Sequence, residues 1–170
     1  GFMFEDFFET LFSSALIAGF MLLITGLLLF FAEKIKGLGK NLDNFKSHNA
    51  FIVGVAQGMA IIPGISRSGS TIVACLFQKL KKEDAARYSF LLSIPAVGGA
   101  NLLKIIDIFS QNYEVGISWF SIFIGTISAA IAGYFAIKYL LHILRKGSLI
   151  VFSYYCWVIG FIVILIAGLS

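Results

Sequence analysis

Residues 49–80 hold two apolar stretches, each too short to cross a bilayer, joined by the polar run Ile61-Ile62-Pro63-Gly64-Ile65-Ser66-Arg67-Ser68-Gly69-Ser70-Thr71. As helices, residues 49–62 would extend about 21 Å and residues 71–80 about 15 Å at the usual rise per residue. A hydrocarbon core is about 30 Å thick. An arginine at the centre of a membrane helix costs roughly 2.5–3.5 kcal/mol on insertion scales, so a chain that keeps Arg67 here uses its charge. The stretch is compatible with one broken spanning helix or with a hairpin that enters and leaves on the same side.

The surroundings make a membrane the right frame. Of 170 residues, 59% are hydrophobic and 13% charged, against about 45–50% and about 25% in soluble domains. Four further runs, 11–32, 88–106, 117–144 and 149–169, are long enough to span. The third is rich in small residues from Gly125 to Gly133, which favour close helix approach, and the second carries Pro95 with Gly98 and Gly99, which predicts a kink. The net charge of +4 sits in short connections, so it reads as topology and not as a nucleic-acid surface. Cys75 and Cys156 lack metal or CxxC spacing and read as small buried apolar residues. His48 and His142 fall at segment ends, where interfacial solvation accounts for them.

Basic residues choose between the two topologies. Lys34, Lys36, Lys40 and Lys46 precede the stretch, Lys79, Lys81, Lys82 and Arg87 follow it, and Lys138, Arg145 and Lys146 flank the last connection. A hairpin places all eleven on one side; a spanning segment divides them. The positive-inside rule selects the hairpin, entering from the cytoplasmic face with both chain ends outside. The expected fold is therefore an all-α integral membrane protein, with four transmembrane helices and one re-entrant helical hairpin (49–80, motif loop 63–71). Polar backbone at membrane depth is tolerated only against protein or a watery cavity, so the tip should face a cavity between helices.

The tip is suited to phosphate. Pro63 ends the first half-helix, and Gly64 and Gly69 permit tight turns and close approach to a ligand. Ser66, Ser68 and Ser70 are each candidate N-caps for the second half-helix, whose N-terminus attracts anions. Arg67 adds a planar fork matched to phosphate oxygens, the Thr71 hydroxyl in the first turn can point at the same guest, and Gln57 could reach either the cavity or a neighbouring backbone group. Gly54 and Gly58 form a GxxxG that argues only for tight packing. The bland alternative is that the hydroxyls pair with backbone carbonyls and Arg67 staples two helices.

These residues resemble the second signature, P-G-x-S-R-S-x-x-T, of the undecaprenyl-diphosphate phosphatases of the bacitracin-resistance type, matched at every fixed position from Pro63 to Thr71. The Tyr88-Ser89-Phe90-Leu91-Leu92-Ser93-Ile94-Pro95 run is similar to the segment that follows it in the family. The resemblance implies an inverted-repeat architecture with one re-entrant hairpin per half. It implies hydrolysis of undecaprenyl diphosphate to undecaprenyl phosphate and inorganic phosphate in the bacterial cytoplasmic (inner) membrane, recycling the carrier lipid for cell-wall synthesis and conferring bacitracin resistance. Ser66, Arg67, Ser68 and Thr71 would then be catalytic, with Gly64, Gly69, Ser70 and Gln57 at the substrate, and a divalent cation (Mg or Ca) would assist. No ligand set for that cation is evident.

The family's other signature, an acidic E-x-x-x-E followed by a serine turn and a histidine, does not appear. Glu5 and Glu9 have the spacing without the turn and histidine, and read as coincidence. The chain is therefore expected to correspond to the C-terminal portion of a typical member, completed by a missing N-terminal repeat or a homodimer and inactive alone as a fragment. A carrier that moves a phosphorylated lipid without hydrolysis is the rival reading, and a membrane scaffold the third.

Overall fold

The structure, a computed structural model, describes residues 14–35, 39, 41–110, 118–145 and 148–169. Glu5, Glu9, Lys36, Lys40, Glu114, Lys146 and the first residues of the 11–32 span lie outside the described residues. Among the described residues six α-helices follow one another: α1 (Ala15–Lys34), α2 (Ser47–Met59), α3 (Arg67–Phe77), α4 (Lys82–Ser110), α5 (Trp119–Arg145) and α6 (Ile150–Leu169), with a short 3₁₀ turn at Leu42–Asn44 before α2. All the regular elements described are helical, and four helices are long and apolar enough to cross a membrane: Ala15–Lys34, Lys82–Ile106, Phe120–Leu144 and Ile150–Leu169.

The second spanning segment starts at Lys82, six residues before the apolar run that announces it, because Glu83 and Asp84 suit a helix's first turn. It stays helical through Pro95.

Glu33 registers the spanning helices. Its carboxylate accepts from Lys82 Nζ at 2.8 Å and from the Leu149 N–H at 2.7 Å. The end of α1 and the starts of α4 and α6 thus lie at one level. Lys34, Lys46, Lys79, Lys81 and Lys82 gather there.

α1 and α6 pack closely along their length. A Cβ added to Gly160 would lie 2.9 Å from the Gly19 carbonyl oxygen, and one added to Gly26 would lie 2.5 Å from the Trp157 ring; the missing side chains are what let the backbones meet. Trp157 Nε1 donates to the Leu23 carbonyl across the same seam, at 3.2 Å.

α2 and α3 form the hairpin. Asn49 Nδ2 donates to Gln78 Oε1 at 2.5 Å, and Gln78 Nε2 returns a bond to the Asn49 carbonyl at 3.2 Å. The first turn of α2 and the end of α3 are therefore neighbours. α3 packs against α1, α2 and α4, and it buries Gly69, Thr71, Ile72, Val73, Cys75 and Leu76. That surround provides the protein cover that a short helix needs at membrane depth. The buried core, with Leu29, Ala32, Val53, Leu76, Leu80, Leu144 and Leu149 among its members, links α3 to the basic end.

Candidate functional site

The hairpin reverses through a tight turn. α2 ends at Met59, and Ala60, Ile61 and Ile62 each donate to a carbonyl three residues back, narrowing the last turn. Ile65 N–H then closes on the Ile62 carbonyl at 3.1 Å, with Pro63 and Gly64 at the centre and Gly64 at φ +89°. This is the turn that favours proline second and glycine third. Gly64 is glycine for a second reason: a Cβ there would sit 2.2 Å from the Ala18 carbonyl oxygen of α1.

The turn lies well along α1 from its basic end. It touches Thr25, about 14 Å from Lys34, and Ala18, about 24 Å from Lys34, on a helix about 30 Å long.

Of the three candidate serines, Ser66 is the N-cap of α3. Its Oγ accepts the Gly69 N–H at 3.1 Å and its carbonyl accepts the Ser70 N–H at 2.8 Å. Helix α3 therefore starts at Arg67, four residues before Thr71. Gly69 is buried against the cap: a Cβ there would lie 3.0 Å from Ser66 Oγ.

The amides of the first turn divide cleanly. The Ser66 N–H donates to Thr25 Oγ1 at 3.3 Å, and those of Gly69 and Ser70 are taken by Ser66. The Arg67 and Ser68 N–H groups have no acceptor among the described residues. The Arg67 guanidinium is half-buried and likewise has no carboxylate or carbonyl partner there. Two amides and a cation are thus open at one helix terminus, the arrangement that binds anions.

Ser68 and Ser70 are half-buried beside this pair, and their hydroxyls make no hydrogen bond among the described residues. Thr71 is placed differently. It is fully buried, and Oγ1 lies 3.0 Å from the Arg67 carbonyl, 3.1 Å from the Ser68 carbonyl and 2.6 Å from Ser89 Oγ of α4. The structure brings Gly64, Ser66, Arg67, Ser68, Gly69 and Ser70 together at the tip and turns the Thr71 hydroxyl toward α4. Gln57 lies on α2, with Oε1 buried and without a partner among the described residues. A buried amide oxygen of this kind is uncommon, and exchanging the amide's two ends would present a donor in its place.

Two polar residues at the site were not singled out from the sequence, Thr25 and Ser89. Each was visible as a hydroxyl within an apolar spanning run, where an unpaired polar group is costly. A cavity of about 450 Å³ lined by Phe135, Lys138, Tyr139, Leu141 and His142 lies on α5, away from the loop.

Among the described residues no three His, Cys, Asp or Glu side chains converge. Residues 60–71 contain no carboxylate, and they carry a cation. Hard divalent cations take oxygen ligands, usually with carboxylates among them, so these residues do not fit one.

Comparison with known proteins identifies the family. Residues 1–162 match the family described as Bacitracin resistance protein BacA, and the chain belongs to that family. It is similar to the undecaprenyl-diphosphatase of Halothermothrix orenii (strain H 168 / OCM 544 / DSM 9562), 60% identical over 99% of this chain and 65% of the relative. The undecaprenyl-diphosphatase of Carboxydothermus hydrogenoformans is 48% identical over 94% of this chain and 62% of the relative. That of Methanothermobacter thermautotrophicus is 47% identical over 99% of this chain and 93% of the relative. The chain thus spans less than two thirds of the first two relatives and nearly all of the third. The family and the four long apolar helices together make this a multi-pass membrane protein.

Proposed function

We propose that this protein hydrolyses undecaprenyl diphosphate to undecaprenyl phosphate and inorganic phosphate. The observation that carries the reading is the open Arg67 and Ser68 amide pair beside a guanidinium without a partner among the described residues, at the half-buried end of a short helix. Water adds its oxygen to the terminal phosphorus, the bond to the bridging oxygen breaks, and the bridging oxygen stays with the lipid. Negative charge builds on the oxygens of the transferred group and on the bridge. Fixed donors aimed at those oxygens stabilise that charge without reorganising.

Arg67 clamps two oxygens with its planar fork. The N1 and N2 amides hold a third, and the Ser68 and Ser70 hydroxyls orient the group. Ser66 shapes the terminus as its cap. Thr71 supports the first turn from behind, through Ser89.

The hairpin enters the bilayer from the cytoplasmic side of a bacterial inner membrane, which the basic residues at its base support. The product lipid phosphate is the carrier reused in cell-wall synthesis, and sustained recycling accounts for bacitracin resistance. The residues that activate the water, and the ligands of any assisting magnesium or calcium, come from a second inverted repeat or a second copy.

The test is release of inorganic phosphate from undecaprenyl diphosphate by the purified full protein in lipid nanodiscs, with its second repeat or second copy present. The wild type should release it, and Arg67→Ala should abolish release without loss of folded protein. A wild type that binds the lipid diphosphate and moves it across the bilayer, yet never liberates phosphate, would make it a carrier.

A further inference from the structure

The shape of the phosphate-facing turn is set from outside the hairpin by a single hydroxyl. Thr25, in the middle of α1, is 2% exposed. Its Oγ1 donates to the Gly64 carbonyl at 3.2 Å and accepts the Ser66 N–H at 3.3 Å. One side chain therefore satisfies the backbone groups on both sides of Ile65. Its methyl faces Gly69, where an added Cβ would lie 3.6 Å from Thr25 Cγ2.

We propose that Thr25 is a positioning residue for the diphosphate site, holding the turn so that the Arg67 and Ser68 amides are the pair presented to the anion. This rests on reading the loop as a diphosphate site. Thr25 does not touch the guest; it acts through Ser66. Without its hydroxyl, the Ser66 N–H loses its acceptor and the Gly64 carbonyl its donor, at a depth where water does not replace them cheaply. The turn then relaxes to find other partners. The Ser66 N–H competes for the phosphate oxygens, and the freed carbonyl brings partial negative charge toward the anion. Both changes degrade geometry that is useful only when preorganised.

Threonine suits this task because it joins a donor and an acceptor to a stiff branched stem. Valine keeps the shape and loses both bonds. Serine keeps both bonds and loses only the methyl against Gly69. Cysteine keeps a weak donor.

The experiment compares wild type, Thr25→Ser, Thr25→Cys and Thr25→Val in nanodiscs by three readouts. These are hydrogen exchange of the peptide covering residues 62–68, affinity for inorganic pyrophosphate, and kcat and KM for phosphate release from undecaprenyl diphosphate. Thr25→Val should speed exchange across the turn while exchange in α6 stays unchanged, and should weaken pyrophosphate binding about tenfold, the loss that one net hydrogen bond produces. Its kcat should fall and its KM rise. Thr25→Ser should stay near wild type, with Thr25→Cys between them.

Equal values for Thr25→Val and wild type would overturn the proposal. So would equal losses in Thr25→Val and Thr25→Ser, which would mean that packing and not the hydroxyl matters. If Thr25→Val does not fold, the order wild type, serine, cysteine decides, and a flat series refutes the role. Exchange and pyrophosphate binding do not require turnover. A wild type that binds pyrophosphate but releases no phosphate would therefore defeat the hydrolysis reading alone, and one that does neither would defeat both.

Discussion

Ser89 Oγ of α4 lies 2.6 Å from Thr71 Oγ1 of α3, with both residues fully buried. Each hydroxyl has one proton. If Ser89 donates to Thr71, Thr71 is free to donate to the Arg67 or Ser68 carbonyl, 3.0 and 3.1 Å away. In that direction the pair braces the first turn of α3 against α4. Removing either partner should then have unequal costs. Ser89→Ala deletes one bond and leaves Thr71 with its carbonyls, a loss of about 0.5–1.5 kcal/mol. Thr71→Val strands the buried Ser89 hydroxyl, whose other carbonyl contact is 3.5 Å away, and should cost about 1–3 kcal/mol. Denaturant unfolding in detergent checks the order.

Arg67→Lys keeps the positive charge and discards the fork. If the fork engages two phosphate oxygens at once, a point charge does not replace it. Hydrogen bonds to charged groups contribute about 1.5–3 kcal/mol, so kcat/KM for phosphate release should fall by roughly one to two orders of magnitude. Arg67→Ala should fall further. A lysine variant as active as wild type would show that charge alone serves the site.

Two positive-φ residues should respond in opposite directions. Gly64→Ala forces a Cβ to within 2.2 Å of the Ala18 carbonyl oxygen at φ +89°, adding backbone strain to steric overlap; a loss of about 2–4 kcal/mol is expected. Lys79, at φ +71°, follows the end of α3. There the Lys79 N–H reaches the Leu76 carbonyl at 2.8 Å and the Leu80 N–H the Cys75 carbonyl at 3.2 Å, a helix stop that usually carries glycine. Lys79→Gly should therefore stabilise by up to about 1 kcal/mol. Thermal unfolding of the two variants in detergent reads both signs.

The four helices long enough to span were legible because hydrophobic length reports directly on a bilayer. The polar run from Pro63 to Thr71 marked the turn for the same reason. What escaped was pairing at long sequence separation. Thr25 meets Gly64 and Ser66 across 39 and 41 positions, and no local spacing encodes that. The spacing put the Thr71 hydroxyl at the guest because it lies one turn into the helix; its orientation depends on α4, where Ser89 waits 18 positions on. Likewise three serines suited the cap, and only the turn geometry selects Ser66.

The hairpin makes a topological prediction. Asn49 and Gln78 exchange two hydrogen bonds, so the segments leading into α2 and out of α3 share one membrane face. Glu33 places the starts of α4 and α6 at that face as well, through Lys82 and Leu149. Ser47 and Lys79 are exposed there, while Ser118 is exposed at the start of α5, the helix that returns from the opposite end. The native Cys75 and Cys156 are buried and should label poorly under native conditions. Single cysteines introduced at 47 and 79 should therefore react with a membrane-impermeant maleimide from the same side of sealed vesicles, and one at 118 from the other. A broken spanning helix would instead put 47 and 79 on opposite sides. That result would leave Arg67 at the start of α3 but would remove the common basic face from which the hairpin is anchored.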